Sequence, residues 1–116
     1  GILGTSSFDA PGTARAIDEL GLKGKVFTAG TGMPAANAQI LKDGSVSTLT
    51  LWDPANAGYA MASLATKILN GETIEDGVNL GVEGYESMHF SSGSTKVLEG
   101  TGWLKITKDN VDSLGF

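Results

Sequence analysis

The sequence predicts an α/β fold in which three short apolar strands, each followed by a helix, form a three-layer Rossmann-like parallel sheet. Three observations carry that expectation. Proline stands at the start of three helix-like segments, at Pro11, Pro34 and Pro54, where its missing N–H and fixed φ are harmless. Each segment follows an apolar stretch and stops at a glycine-containing turn, at Gly21, at Asp43-Gly44 and near Gly71. Strands and helices that alternate with short connections pack as parallel sheets with right-handed crossovers, so the strand ends are expected along one edge.

Taken in order, Ile2-Leu3 reads as a short buried strand that enters the polar loop Gly4-Thr5-Ser6-Ser7. Asp9 is expected to cap the next helix, with Pro11 in its first turn, Ala14, Ile17 and Leu20 as its buried stripe, and Gly21 as its stop. Residues 25–29 form the second predicted strand, and Gly30-Thr31-Gly32-Met33 leads into a helix that starts at Pro34 and buries Ala38 and Leu41. The third strand spans residues 46–52 through Val46, Leu49 and Leu51 and ends on Trp52-Asp53-Pro54. The helix from Ala55 carries Ala57, Ala60, Met61, Leu64, Ala65, Ile68 and Leu69. After Gly71 the rhythm changes: residues 78–82, 85–90 and 96–98 read as short β-like stretches between Gly- and Ser-rich turns, and 109–114 as a helical turn or two. Alternation in Gly102-Trp103-Leu104-Lys105-Ile106 puts Trp103 and Lys105 on one face, and burial is the expected role of Trp103.

A chain of 116 residues suffices for one modest core. Seventeen glycines and a hydrophobic fraction of 41% fit a globular chain with many turns, and no apolar run reaches membrane-spanning length. The chain opens on Gly1-Ile2-Leu3-Gly4 with no basic n-region or signal-type apolar region, so it is expected to begin inside a strand, as a piece of a longer protein would. A net charge of −5 without a Lys/Arg cluster gives no electrostatic footprint for nucleic acid. With no cysteine and one histidine, thiolate and His-based metal sites are excluded, and a Ser-His-Asp triad would depend on His89 alone. No carboxylate pair has a spacing that argues for acid–base catalysis, and no cofactor is expected.

The strand-to-helix loops hold the candidate ligand residues, since open α/β sheets bind at the carboxyl ends of their strands. Thr5, Ser6 and Ser7 offer hydroxyls and backbone N–H groups at a helix N-terminus, which suits an oxygen-rich ligand. The loop around Gly32 lacks both the dinucleotide G-x-G-x-x-G spacing and a Walker lysine. Met33 is expected to pack. Trp52 is a candidate ring for stacking on the C–H face of a sugar. Asp53 could accept ligand hydroxyls, with helix capping as its simpler role, and Pro54 stiffens the crossing. His89, between Met88 and Phe90, is expected to be solvated or singly hydrogen-bonded.

LWDPANAGY, preceded by LKDG and followed by an Ala-rich helix ending in LNGE, resembles the last interlobe crossing of the type I periplasmic sugar-binding proteins, most of all the rhamnose and autoinducer-2 branch. GTSSFDAPGTARAIDELG near the start and KDNVDSLGF at the end are similar to that family in the same order. The resemblance implies the C-terminal half of a two-lobe solute-binding protein. Residues 1–53 would be part of the C-terminal ligand-binding lobe, and residues 54–116 the interlobe crossing helix and a β-rich tail. It also implies a small sugar-like ligand in an interlobe cleft, an N-terminal lobe and an ABC permease as partners, a periplasmic location, and binding without catalysis. Thr5, Ser6, Ser7, Gly32, Trp52 and Asp53 would face ligand, with Asp53 and Pro54 at the hinge. Gly32 stands where ribose-type relatives carry a sugar-gripping Asp, which favours a compact ligand such as a deoxysugar or furanosyl diol. Self-association of the piece is expected where the Met61, Leu64 and Ile68 stripe has no cover. The alternatives are the sugar-sensing domain of a lac-repressor-type regulator and a small doubly wound enzyme domain, which share the fold class.

Overall fold

The three prolines mark the helix starts. In the computed structural model, which describes residues 1–116, α1 spans Asp9–Glu19, α2 Pro34–Lys42 and α3 Pro54–Leu69. Gly21 and Gly44 follow α1 and α2 with φ of 63° and 79°, a left-handed geometry in which only glycine avoids a Cβ penalty. The strands are β1 (Ile2–Leu3), β2 (Thr28–Thr31), β3 (Thr48–Trp52), β4 (His89–Phe90), β5 (Leu98–Glu99) and β6 (Trp103–Ile106). The main sheet runs β1-β2-β3-β6, and β4 pairs with β5. Both β1–β2 and β2–β3 are parallel, with Ile2 opposite Thr28 and Gly30 opposite Leu49. The fold is therefore mixed α/β with a mostly parallel sheet.

Several local expectations are corrected. The second strand starts at Thr28 instead of residue 25, although the Phe27 carbonyl still accepts from the Ile2 N–H at 2.8 Å. The segment 78–82 contributes one bridge, Val78 to Met88. Residues 103–106, expected only to alternate, form a strand of the main sheet beside β3. Leu20 falls at the C-cap of α1 and is 70% exposed, because the helix stops before its last turn can face the sheet.

Contacts divide the chain into two compact units, Gly1–Leu51 with Leu104–Phe116, and Trp52–Trp103. The last thirteen residues thus return to the first unit. Its core joins Ala10 and Ala14 of α1, Leu41 of α2, Leu49 of β3 and Ile106 of β6. Leu49 and Ile106 are completely buried, each worth about 1.5–3 kcal/mol relative to an exposed side chain. Polar links tie the helix ends together. Lys23 reaches Asp18 at 3.9 Å and Asp43 at 3.4 Å, and Lys42 reaches Asp112 at 2.6 Å. The Ser45 backbone N–H and hydroxyl, assisted by Lys23, hold the Asp43 carboxyl below its ordinary value. In the second unit, Ala60 of α3 packs with Leu80 and Met88.

Two outcomes follow from this packing. The Thr28 hydroxyl is buried and has no hydrogen-bond partner, and an unpaired buried hydroxyl costs about 1–3 kcal/mol. Thr28→Val should therefore raise stability by about 1 kcal/mol in urea unfolding, since shape is kept and the desolvated group is removed; a loss of stability would show that the hydroxyl is satisfied. On α3, Met61 and Ile68 share a face and are 71% and 56% exposed, while Leu64 of the expected stripe is half-buried against the Ala60, Leu80 and Met88 cluster. An apolar face of that kind drives association, so sedimentation velocity should show a weight-average mass that rises with concentration, whereas a monomer at every concentration would contradict it.

Candidate functional site

The loop after β1 is built around a carboxylate. Gly4 N–H donates to Ala29 O at 2.9 Å, prolonging the strand pairing, and a side chain at Gly4 would collide with the Asp9 Cβ. Asp9 does not cap α1 as expected. The N-cap is Phe8 and makes no side-chain cap bond, while the Asp9 carboxylate turns back to accept the Thr5 and Ser6 N–H groups at 2.9 Å each. The Ser6 hydroxyl in turn accepts from the Phe8 N–H at 3.3 Å. Two of the amides expected to be free are thus already paired, and the exposed groups of residues 5–7 are chiefly hydroxyls.

Gly32 follows β2 and is buried. A Cβ there would lie 2.9 Å from the Asn37 Nδ2 and 3.4 Å from a Leu49 methyl. Asn37, 6% exposed, donates from Nδ2 to the Met33 carbonyl at 2.9 Å. Packing against Asn37 therefore gives a physical reason for glycine at position 32. Met33 is the N-cap of α2 and 40% exposed, not packed as expected. The Gly4 and Gly30 backbones approach closely, since a Cβ on Gly30 would sit 3.2 Å from Gly4 O. The loops that carry Thr5, Ser6 and Ser7 on one side and Gly32 on the other therefore leave adjacent parallel strands.

Trp52 and Asp53 belong to the second unit. Asp53 accepts the Ala55 and Asn56 N–H groups at 2.7 and 3.2 Å, capping α3, and Pro54 takes the first helical position. Trp52, 42% exposed, borders an apolar recess of about 330 Å³ with Met61, Leu64, Leu80, Tyr85 and Met88. Its indole meets the Trp103 indole edge to face, with centroids 5.2 Å apart and planes at 84°. Trp103 is 57% exposed, so the burial expected for it is corrected.

His89 is exposed, in line with the first of the two expectations for it, and has two hydrogen-bond partners. Its Nδ1 lies 3.0 Å from Asp76 Oδ2 and its Nε2 3.2 Å from the Ser87 hydroxyl. The Asp76 carboxylate also accepts the Phe90 N–H at 2.7 Å. The Asp76 and His89 side chains are each 60% exposed, and none of the three residues lines the recess of this unit. The arrangement fastens β4 to the preceding loop. The bond to His89, followed by that to Phe90, holds the Asp76 carboxyl below its ordinary value. No group of three or more His, Asp or Glu side chains could hold a metal ion.

Residues 1–73 match the family described as periplasmic binding protein domain. No curated protein matches the sequence significantly. Among solved structures, the chain is similar to a sugar ABC transporter protein from Actinomyces odontolyticus, at 29% identity and a TM-score of 0.76, with 99% of this chain and 36% of that chain covered. It shares its fold with LsrB from Clostridium saccharobutylicum in complex with AI-2, at 23% identity and a TM-score of 0.67, with 99% and 39% covered. The chain thus spans 36% and 39% of these two structures.

The Asp76 cluster has a pH signature. A carboxyl whose folded pKa lies below its unfolded value of about 3.9 contributes stability above that value and loses it as pH falls through the folded pKa. Asp76→Asn should flatten the acid limb of a plot of Tm against pH below about pH 4. An acid limb as steep as that of the parent chain would show that Asp76 adds nothing.

Proposed function

Because this chain belongs to the periplasmic binding protein family, we propose that it is part of the solute-binding component of an ABC importer for a small sugar or autoinducer-2-like ligand. The observation that carries the reading is the family match over residues 1–73, which includes all three strand-to-helix turns. The solved relatives support the ligand class, one being a sugar ABC transporter protein and the other holding AI-2.

In this proposal Thr5, Ser6 and Ser7 present hydroxyls, the Gly32 turn presents backbone, and Trp52 supplies the stacking face. Such a lining suits a small, neutral, oxygen-rich ligand and provides no matched base and nucleophile. Asp53 holds the start of α3 and, with Pro54, serves as the hinge of a cleft that a second lobe completes. Closure is favoured because the ligand touches both faces. The permease is the downstream partner and the location is extracytoplasmic, in the periplasm. No helix of the chain is long and apolar enough to cross a membrane.

Calorimetric titration of the two-lobed protein that carries this chain, with rhamnose, ribose, glucose and autoinducer-2, tests the proposal. A compact deoxysugar or furanosyl ligand should bind, and Trp52→Ala should weaken that binding by about 1–3 kcal/mol as loss of a central aromatic anchor does. Tight glucose binding, or hydrolase or dehydrogenase turnover without binding of any of the four, contradicts it.

A further inference from the structure

Trp103 is more than half exposed, yet the backbone that delivers it is tightly constrained. A Cβ on Gly102 would lie 2.8 Å from the Tyr85 ring, and one on Gly100 would lie 2.5 Å from the Met88 sulfur. Gly84, at φ 83°, approaches so closely that its Cβ would sit 2.6 Å from the Gly102 Cα. The Thr101 N–H donates to the Gly84 carbonyl at 3.0 Å. Only glycines permit this packing, and together they fix the direction in which the chain enters β6. What Trp103 meets is Trp52, across the neighbouring strands β3 and β6, in the edge-to-face arrangement that aromatic quadrupoles favour.

On the Trp52 side, the capped and proline-started α3 fixes the backbone but not the ring, which is 42% exposed. We infer that Trp103 is a positioning residue for Trp52, the edge-to-face contact of the two indoles holding the Trp52 ring in one orientation, so that the ring is set before ligand arrives. The consequence for affinity rests on the proposed stacking role of Trp52; the orientation itself does not. A ring held in its bound rotamer loses less freedom on binding, which is how preorganisation raises affinity.

Trp52 and Trp103 are the chain's two tryptophans, so Trp103→Val and Trp103→Phe each leave Trp52 as the sole indole. Valine suits an exposed strand position and removes the aromatic partner, and phenylalanine retains one. Time-resolved fluorescence anisotropy of the chain should show added fast depolarisation of Trp52 in Trp103→Val and little in Trp103→Phe. Equal local motion in both variants overturns the inference. In the two-lobed protein, Trp103→Val should weaken sugar or autoinducer-2 binding about 2- to 10-fold, the equilibrium equivalent of one aromatic pair, with Trp103→Phe close to the parent. Freed Trp52 motion with unchanged affinity upholds the positioning role and removes Trp52 from the ligand site. Reduced affinity with unchanged motion overturns the positioning role. If Trp103→Val does not fold, fluorine NMR of the unsubstituted chain labelled with fluorotryptophan decides, with Trp103→Phe used to assign Trp52. A Trp52 resonance displaced from the free-indole position supports the inference, and one at that position overturns it.

Discussion

The register of β3 governs both the core and the presented surface. Along this strand Leu49 and Leu51 point into the core, while Thr50 and Trp52 are exposed. Side chains alternate with a period of two, so a slip of one residue would bury Trp52 and expose both leucines. Pairing on both edges, with β2 on one side and β6 on the other, holds the strand against that slip. The completely buried Leu49 therefore determines that Trp52 faces outward, and the Asp53 cap immediately converts the strand into α3. Packing in this way produces the surface that the proposed function uses.

Small residues do the corresponding work at the other two turns. Gly4 leaves space for Asp9, whose carboxylate organises the Thr5 and Ser6 amides, and Gly32 leaves space for the buried amide of Asn37. A side chain at either glycine would displace a polar group that already has its hydrogen bonds, at the cost of an unsatisfied buried or half-buried partner. The glycine at position 32 thus has a packing cause.

Much of this was legible in the sequence because it is local. Pro11, Pro34 and Pro54 announced three helices, Gly21 and Gly44 ended two of them, and the Asp53 cap lies within three residues of both its partners. What escaped depends on distant contacts or on choices between near-equal local ones. β6 joins β3 across some fifty residues, so nothing near Trp103 signals a place in the main sheet or an indole partner. Asp9 had two short-range options, capping forward or turning back on Thr5 and Ser6, and spacing alone does not separate them. Three glycines at 84, 100 and 102 read as turn punctuation, whereas they are sites of close approach to Tyr85, Met88 and each other.

The proposed function assigns ligand contacts to Thr5, Ser6, Ser7 and Gly32 in the first unit and to Trp52 in the second. Its most direct test is an amide and indole NMR titration of the two-lobed protein with the sugar or autoinducer-2 ligand that binds it. The account predicts that perturbations concentrate at the Thr5, Ser6 and Ser7 amides, the Gly32 amide and the Trp52 indole N–H. Perturbations confined to Met61, Leu64 and Leu80 around the apolar recess, with those five positions unmoved, would contradict it.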